Sequence, residues 1–384
     1  MSVRAALACL VTLALACTSA PWRRDRVGIT LDDLLAGAPL GMEQDPPALV
    51  DEKEVLAVNA GMQDFLSVHV AGTAGRVTRL RQLAYAIISE GTFGLEYDET
   101  TRTAPETFQA RRGNCLSFSN MFVAMARHVG LDVHYQEVDT PPDWSFRDGA
   151  LVLNRHVNVL VDLGMEGEHV VDFNMDDFRT SYDRRRISDA RALAHYYNNM
   201  GVERMQAGDA ASALRYLRRA AGRDPLFSPA WTNLGILYWR RGHLAHAEAA
   251  YLAALNVDEG DLVAMSNLAS LYQRRGDQAR AAMYRNRVVG HRQRNPYYRL
   301  QVAREAFQAR DYDAAISHLN YAIRKKRNED QFYFLLGLSY MKKGDAQAAR
   351  RWLSQAEEVA ATDALKRRYA SKIDILTSAP PDDR

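Results

Sequence analysis

PAWTNLGILYWRRGHLAHAEAAYLAALN, residues 229–256, sets Gly242 between two runs whose apolar residues return every three or four positions. That spacing lays the apolar side chains along one face of a helix. A glycine between two such runs marks where one helix stops and the next begins. The arrangement recurs. Gly208, Gly242, Gly276, Arg310 and Gly344 stand 34 residues apart, and so do Ala213, Ala247, Ala281, Ala315 and Ala349. A period of this length built from two helices predicts a stacked array, in which each unit buries its face against the next. Five units follow, at 194–227, 228–261, 262–295, 296–329 and 330–363.

The unit resembles the tetratricopeptide (TPR) repeat. Trp231, Leu234, Gly235 and Tyr238 match its first helix, and Ala247, Tyr251 and Ala254 its second. The fourth unit departs most, with Arg310 at the glycine turn and Ala303 where that family commonly has glycine. LKRRYASKIDIL, residues 365–376, is the predicted capping helix within a terminal segment, 364–384. The resemblance implies an all-α solenoid that binds a protein partner or peptide in its concave groove. Asn199, Asn233 and Asn267 fall at one repeat position, where similar repeats hydrogen-bond an extended peptide backbone; following the consensus is the other explanation.

Outside the array the chain reads differently. It has 384 residues, 47% hydrophobic and 25% charged, enough for two or three domains with real cores. Its formal net charge of +2 gives no general sign of nucleic-acid binding. The repeats hold 25 Lys+Arg against 17 Asp+Glu, or +8, so the remainder carries 2 − 8 = −6. A solvated helical surface accounts for that excess most simply; an acidic partner or membrane headgroups are the sharper alternative.

At the N-terminus, MSVRAALACLVTLALACTSAP has Arg4 ahead of an apolar core, residues 5–16, that is too short to span a bilayer comfortably. A secretory signal is expected. LALAC, residues 13–17, resembles a bacterial lipobox, with Ala14 where Leu is usual; Ala14-Leu15-Ala16 also fits plain signal cleavage. The lipobox makes 1–16 the signal peptide, Cys17 the acylated first residue and 17–47 a polar tether. With Thr18 rather than Asp after the cysteine, it implies an outer-membrane lipoprotein facing the periplasm, held to the membrane by its lipid anchor. Cys9 is then removed with the signal, and Cys115 is the last free thiol in an oxidising compartment.

Cys115 lies in RRGNCLSFSN, residues 111–120, ahead of Phe118, Phe122, Met125 and Val129 at helical spacing. Helices are expected over 49–69, 76–89 and 115–129, with 92–113 a loop. Strands are expected over 131–138, 150–162 and 168–173, with a connection from Pro141 to Gly149. Helices followed by antiparallel strands predict an α+β domain over 48–188. A thiol in the first turn of a helix meets unpaired N–H groups and the positive end of the dipole, which suits a nucleophile. Such a nucleophile needs a histidine and a group to orient it. His156 interrupts the apolar run RHVNVLV, and Asp172 ends HVVDF. If the two strands pair through LGMEG, these residues fall one or two places out of opposition; the register decides whether they share a face.

RTAPETFQARRGNCLSFSNMFVAMARHVGL, with HVNV and VVDF after it, resembles the transglutaminase-like superfamily of papain-type thiol enzymes. The resemblance spans about residues 75–175. It implies Cys115 as nucleophile, His156 as base and then acid, Asp172 as orienting residue, and no cofactor. The Cys115 N–H would be one oxyanion donor, with Gln109 or Asn114 as another. It also implies a protein or peptide substrate, either hydrolysed or crosslinked through an amine, while a domain that only scaffolds the repeats is the reading from outside enzymes. DFNMDD, residues 172–177, begins like a calcium loop but has Asp177 where glycine is needed and Asp183 in place of the closing Glu. No Cys/His group has zinc spacing, and no metal site is expected.

Overall fold

The computed structural model describes residues 28–41, 49–88, 93–138, 144–147, 150–153, 156–173, 182–360 and 363–378. The expected signal peptide, residues 17–27 and 42–47 of the tether, with Cys17 among them, and Asn174–Asp177 of the calcium-like stretch lie outside them.

The fold is multidomain: an α+β region followed by an all-α solenoid. The first part holds α1 (Leu31–Ala36), α2 (Glu52–Val55), α3 (Ala60–His69), α4 (Arg76–Ile88), β1 (Glu96–Tyr97), α5 (Ala104–Ala110), β2 (Arg112–Gly113) and α6 (Cys115–His128). Strands β3 (Asp132–Val138), β4 (Trp144–Arg147), β5 (Ala150–Leu153), β6 (His156–Asp162), β7 (Glu168–Val171) and β8 (Arg184–Ile187) follow. Four of them form an antiparallel sheet in the order β7-β6-β3-β8, while β4 and β5 pair separately.

Four expectations need correcting. The helix expected over 49–69 is two helices, α2 and α3, with a break between Val55 and Ala60. Residues 92–113 contain a helix, α5, started by a capping box between Thr103 and Glu106 with a proline in its first turn. Flanking it, β1 and β2 make a short parallel pair. The segment 150–162 is two strands, and the connection before it carries β4. The tether is structured over 30–40: Thr30 and Asp33 cap α1 reciprocally, and a 3-10 turn follows at Ala38–Leu40. Leu34, Leu35 and Leu31 sit at helical spacing, and Leu34 is buried in the core. Its carbonyl accepts the Tyr238 hydroxyl at 2.7 Å, pinning α1 to the second repeat.

The solenoid pairs α7 (Asp189–Gln206) with α8 (Ala210–Arg223), α9 (Ser228–Arg240) with α10 (Leu244–Val257), and α11 (Leu262–Arg274) with α12 (Gln278–Arg294). Then come α13 (Pro296–Gln308) with α14 (Tyr312–Lys325) and α15 (Asp330–Lys342) with α16 (Ala346–Val359), closed by α17 (Asp363–Ser378). Four of the five turns use a glycine at φ 79–82°; the fourth uses Arg310 at φ 64°.

The two parts share one core. Residues of α3, α6, β3 and β6 join those of units one to three in a single apolar cluster, from Leu34 to Val288. Units four and five form a second cluster around Leu300, Leu319, Phe332 and Leu336, which also takes in Val138 and Tyr182. Strand β8 runs into α7 through Ser188, whose hydroxyl accepts from Arg191 N. Arg127 at the end of α6 holds Asp189 at the start of α7 with two bonds of 2.7 and 2.8 Å. Glu137 of β3 accepts from Arg191 and His195 of α7 at 2.8 Å each, and from Arg185 of β8. Burial opposes ionisation of Glu137, but those three donors outweigh it and keep its carboxyl far below the ordinary range.

A non-glycine residue at positive φ costs about 1–2 kcal/mol, of which glycine's extra chain entropy returns about half. Arg310→Gly should therefore stabilise units four and five by about 0.5–1 kcal/mol, read as a higher urea midpoint for their unfolding.

Candidate active site

The site begins with the loop that starts α6. Asn114 is the N-cap in extended conformation, and its Oδ1 accepts from Ser117 N at 2.9 Å. Gly113 precedes it because nothing larger fits: a Cβ there would stand 2.7 Å from that of Ser117. The chain therefore enters α6 tightly, and Cys115 becomes its first residue, half-buried. At that position its backbone N–H has no acceptor within the helix.

The sheet supplies the other two groups. The register sets Val159 against Val171, so Asp172 continues opposite Asn158, and His156 lies diagonally two residues on, on the same face. His156 is the first residue of β6 rather than a mid-strand residue. Its Nε2 stands 2.8 and 2.9 Å from the two Asp172 oxygens. Asn158 Nδ2 donates to Asp172 Oδ2 at 2.8 Å. Cys115 acts on the same ring, adding to what favours its charged form; with Nε2 taken by Asp172, Nδ1 is the nitrogen left over. Asp172 is 6% exposed, so its charge is little screened by water. Phe173, next to it, packs on Phe118 and Phe122 of α6 at 5.6 and 6.0 Å between ring centres, tying the end of β7 to the cysteine's helix.

Burial works against the imidazolium, but the Asp172 hydrogen bond and charge, with Cys115 adding to them, outweigh it, raising His156 from 6.5 to about 10. Geometry and charge thus agree. A half-buried Cys115, a ring held in its charged form and a buried carboxylate are the three groups that thiol activation calls for.

The remaining expected residues are placed as follows. Gln109 is exposed in the last turn of α5. Asn114 is buried, its Oδ1 capping α6 and its Nδ2 donating to Thr101 Oγ1 at 2.8 Å. In the solenoid, Asn233 Nδ2 bonds Asn198 Oδ1 at 2.8 Å, linking the first helices of units one and two. Asn199 is half-buried, and Asn267 is buried with its Nδ2 unpaired. Asn158 was missed by the sequence reading. Its signal was a second polar residue two places after His156 in a run that is otherwise apolar.

Family models give the same division of the chain. Residues 66–171 match the transglutaminase-like superfamily, and residues 198–263 and 300–364 match the tetratricopeptide repeat. The chain carries a transglutaminase-like core domain followed by TPR repeats. No curated protein matches it. Among solved structures, Cut9-Hcn1 of the APC/C shares 22% identity over 48% of this chain and 36% of that one, at a TM-score of 0.25. YrrB, described as a TPR protein with an unusual peptide-binding site, shares 18% over 47% and 92%, at 0.25. Pseudomonas aeruginosa pilF shares 16% over 49% and 89%, at 0.26. The chain spans about a third of the Cut9-Hcn1 chain. At such TM-scores these likenesses carry no argument.

A histidine raised from 6.5 to about 10 on folding contributes stability that is fully present below pH 6.5 and lost as pH climbs toward 10. The stability advantage of the native protein over His156→Gln should be largest near pH 6 and shrink steadily up to pH 10. Urea unfolding at a series of pH values measures it; a difference that grows with pH would contradict the ion-pair geometry.

Proposed function

We propose that the transglutaminase-like domain is a thiol hydrolase, a peptidase or amidase, working through Cys115, His156 and Asp172. The observation that supports it most is the pair His156–Asp172: Asp172 lies on Nε2 at 2.8 Å, which leaves Nδ1 as the nitrogen that would serve Cys115 at its helix start. The Cys115 thiolate attacks an amide carbonyl carbon, and the oxygen takes up the negative charge. The backbone N–H of Cys115, the first residue of its helix and without an acceptor within it, would be one donor. Asn114 is committed to its cap and to Thr101, which leaves Gln109 as the side-chain candidate for a second donor. The C–N bond breaks as His156 Nδ1 delivers its proton to the leaving amine, giving a thioester. Water then attacks the thioester carbon while His156 takes its proton, and the thiolate leaves as the acid forms. Asp172 holds the ring and its charge throughout, and Asn158 holds Asp172.

In this reading the TPR array brings a protein or peptide to the enzyme, with Asn199, Asn233 and Asn267 on the first helices as its backbone contacts. The exposed setting is the bacterial envelope, with Cys17 acylated. Cys17→Ser should then release the protein from membranes or leave it unprocessed; a cleaved but unlipidated Cys17 would remove the anchor and keep only export.

The triad is tested by thiol chemistry before any substrate is known. Cys115 should react quickly with iodoacetamide at pH 6, where an ordinary thiol, with a pKa near 8.5, is almost wholly protonated. His156→Ala should slow that reaction strongly and Asp172→Asn less. Peptides retained by Cys115→Ala identify the substrate, on which each single variant should lose roughly 10²–10⁴-fold in turnover, with double variants little worse. A Cys115 that reacts only after unfolding would instead make the domain a scaffold for the repeats.

A further inference from the structure

We propose that Glu203, on the first helix of the first repeat, is a positioning residue for Cys115. The inference rests on the thiol-enzyme reading and extends its machinery into the solenoid. Glu203 is near the end of α7, and its Oε1 accepts the backbone N–H of Thr101 at 2.8 Å. Thr101 Oγ1 in turn accepts from Asn114 Nδ2 at 2.8 Å, and Asn114 Oδ1 caps Ser117 N in the first turn of the cysteine's helix.

The order of these bonds is what matters. A carboxylate only accepts, so Glu203 holds Thr101 by its backbone N–H, and Thr101 Oγ1 is left to accept from Asn114. Asn114 then presents its amide nitrogen to Thr101 and its oxygen to the helix. Without Glu203 the Thr101 N–H loses its acceptor, and the residue that receives the Asn114 amide is no longer fixed. Thr101 and Asn114 are 5% and 8% exposed, so water is a poor substitute partner. Three further bonds lock the same loop to the helix start: Arg102 N donates to Ser117 Oγ at 2.9 Å, Asp98 N to Gly113 O at 3.0 Å, and Glu96 N to Arg111 O at 2.9 Å.

The repeat position itself varies: it holds buried leucines in units two and three, Leu237 and Leu271, an exposed Glu305 in unit four and Ser339 in unit five. In unit one its carboxylate faces the loop before Cys115 and holds the Thr101 N–H. Burial raises the Glu203 carboxyl, a penalty that a merely solvated surface residue would not carry.

The test uses the full chain and the rate of Cys115 alkylation by iodoacetamide from pH 5 to 9. Glu203→Leu restores the residue of the neighbouring units and removes the acceptor. It should slow alkylation at pH 6 by about tenfold, the scale of a lost helix cap, and move the acid limb of the rate profile to higher pH. Glu203→Gln, which keeps an acceptor, should fall between it and the native protein. Thr101→Val deletes only the hydroxyl and should act similarly, and the double variant should be no slower than the slower single one, since both act on one path. Should the leucine variant fail to fold, Thr101→Val and Glu203→Gln carry the same test. A fast native protein with both sets of variants unchanged, or with additive effects, overturns the role of Glu203 and leaves the triad standing. A native Cys115 that is itself inert overturns the thiol-enzyme reading and this inference with it.

Discussion

Glu137 sits in the middle of the sheet with two strands on one side and one on the other, and its carboxylate gathers Arg185, Arg191 and His195. A carboxylate this enclosed is costly unless its lone pairs are filled by charged donors, and breaking such a group by removing one partner typically costs several kcal/mol. Because two of the donors belong to α7, the sheet can only be satisfied when the first repeat is docked. Arg191 extends the group to Asp224 at 2.9 Å and to the Leu226 carbonyl, and lies over the Phe227 ring. The turn between the first two repeats is thus tied to the strand that pairs with His156. The α+β region and the solenoid are joined by chemistry that tolerates little sliding.

This constraint explains why the array is not a free appendage. A TPR solenoid is usually stabilised by contacts between neighbouring units, and here units one to three merge into the core that holds α6 and the sheet. The boundary between cooperative regions falls within the array, between units three and four, rather than at the junction of the two folds. Even there the separation is incomplete: Tyr182 packs edge-on against Tyr297 at 5.8 Å, and Lys326 Nζ bonds Asp183 at 2.8 Å. An occupant of the concave surface would therefore act on a body that is continuous with the candidate active site.

The parts that could be read from sequence were those that repeat or that carry strong local rules. Five turns at a constant spacing made the solenoid plain, and even its exception, Arg310, keeps the left-handed turn that the position demands. The start of α6 was plain because Gly113, Asn114 and Cys115 each have a local reason to be there. The pairing of His156 with Asp172 was only half legible. Their separation follows from the LGMEG loop, but which face they take follows from a register set by the whole sheet. Helix α5 was overlooked although Thr103, Pro105 and Glu106 spell its start, because seven residues are too few to show a period. Helix α1 was hidden by the polar residues around it, and its leucines find their core only in the second repeat, about 200 residues away in sequence.

Glu203 shows why the last part lay beyond reach. A single carboxylate in a helical repeat reads as surface, and the repeat gives no warning, since unit four carries Glu305 at the same position. What that position faces is a tertiary fact: the loop at 98–103, folded back by a two-residue parallel strand pair against the start of α6. Local rules place a cysteine at a helix N-terminus, but they leave the cap free to choose among hydrogen-bond partners. Here the partner is Thr101, whose backbone is held by Glu203 of the neighbouring domain. A helix start that is capped by its own asparagine, and whose asparagine is oriented from α7, has its nucleophile held in place by both halves of the molecule.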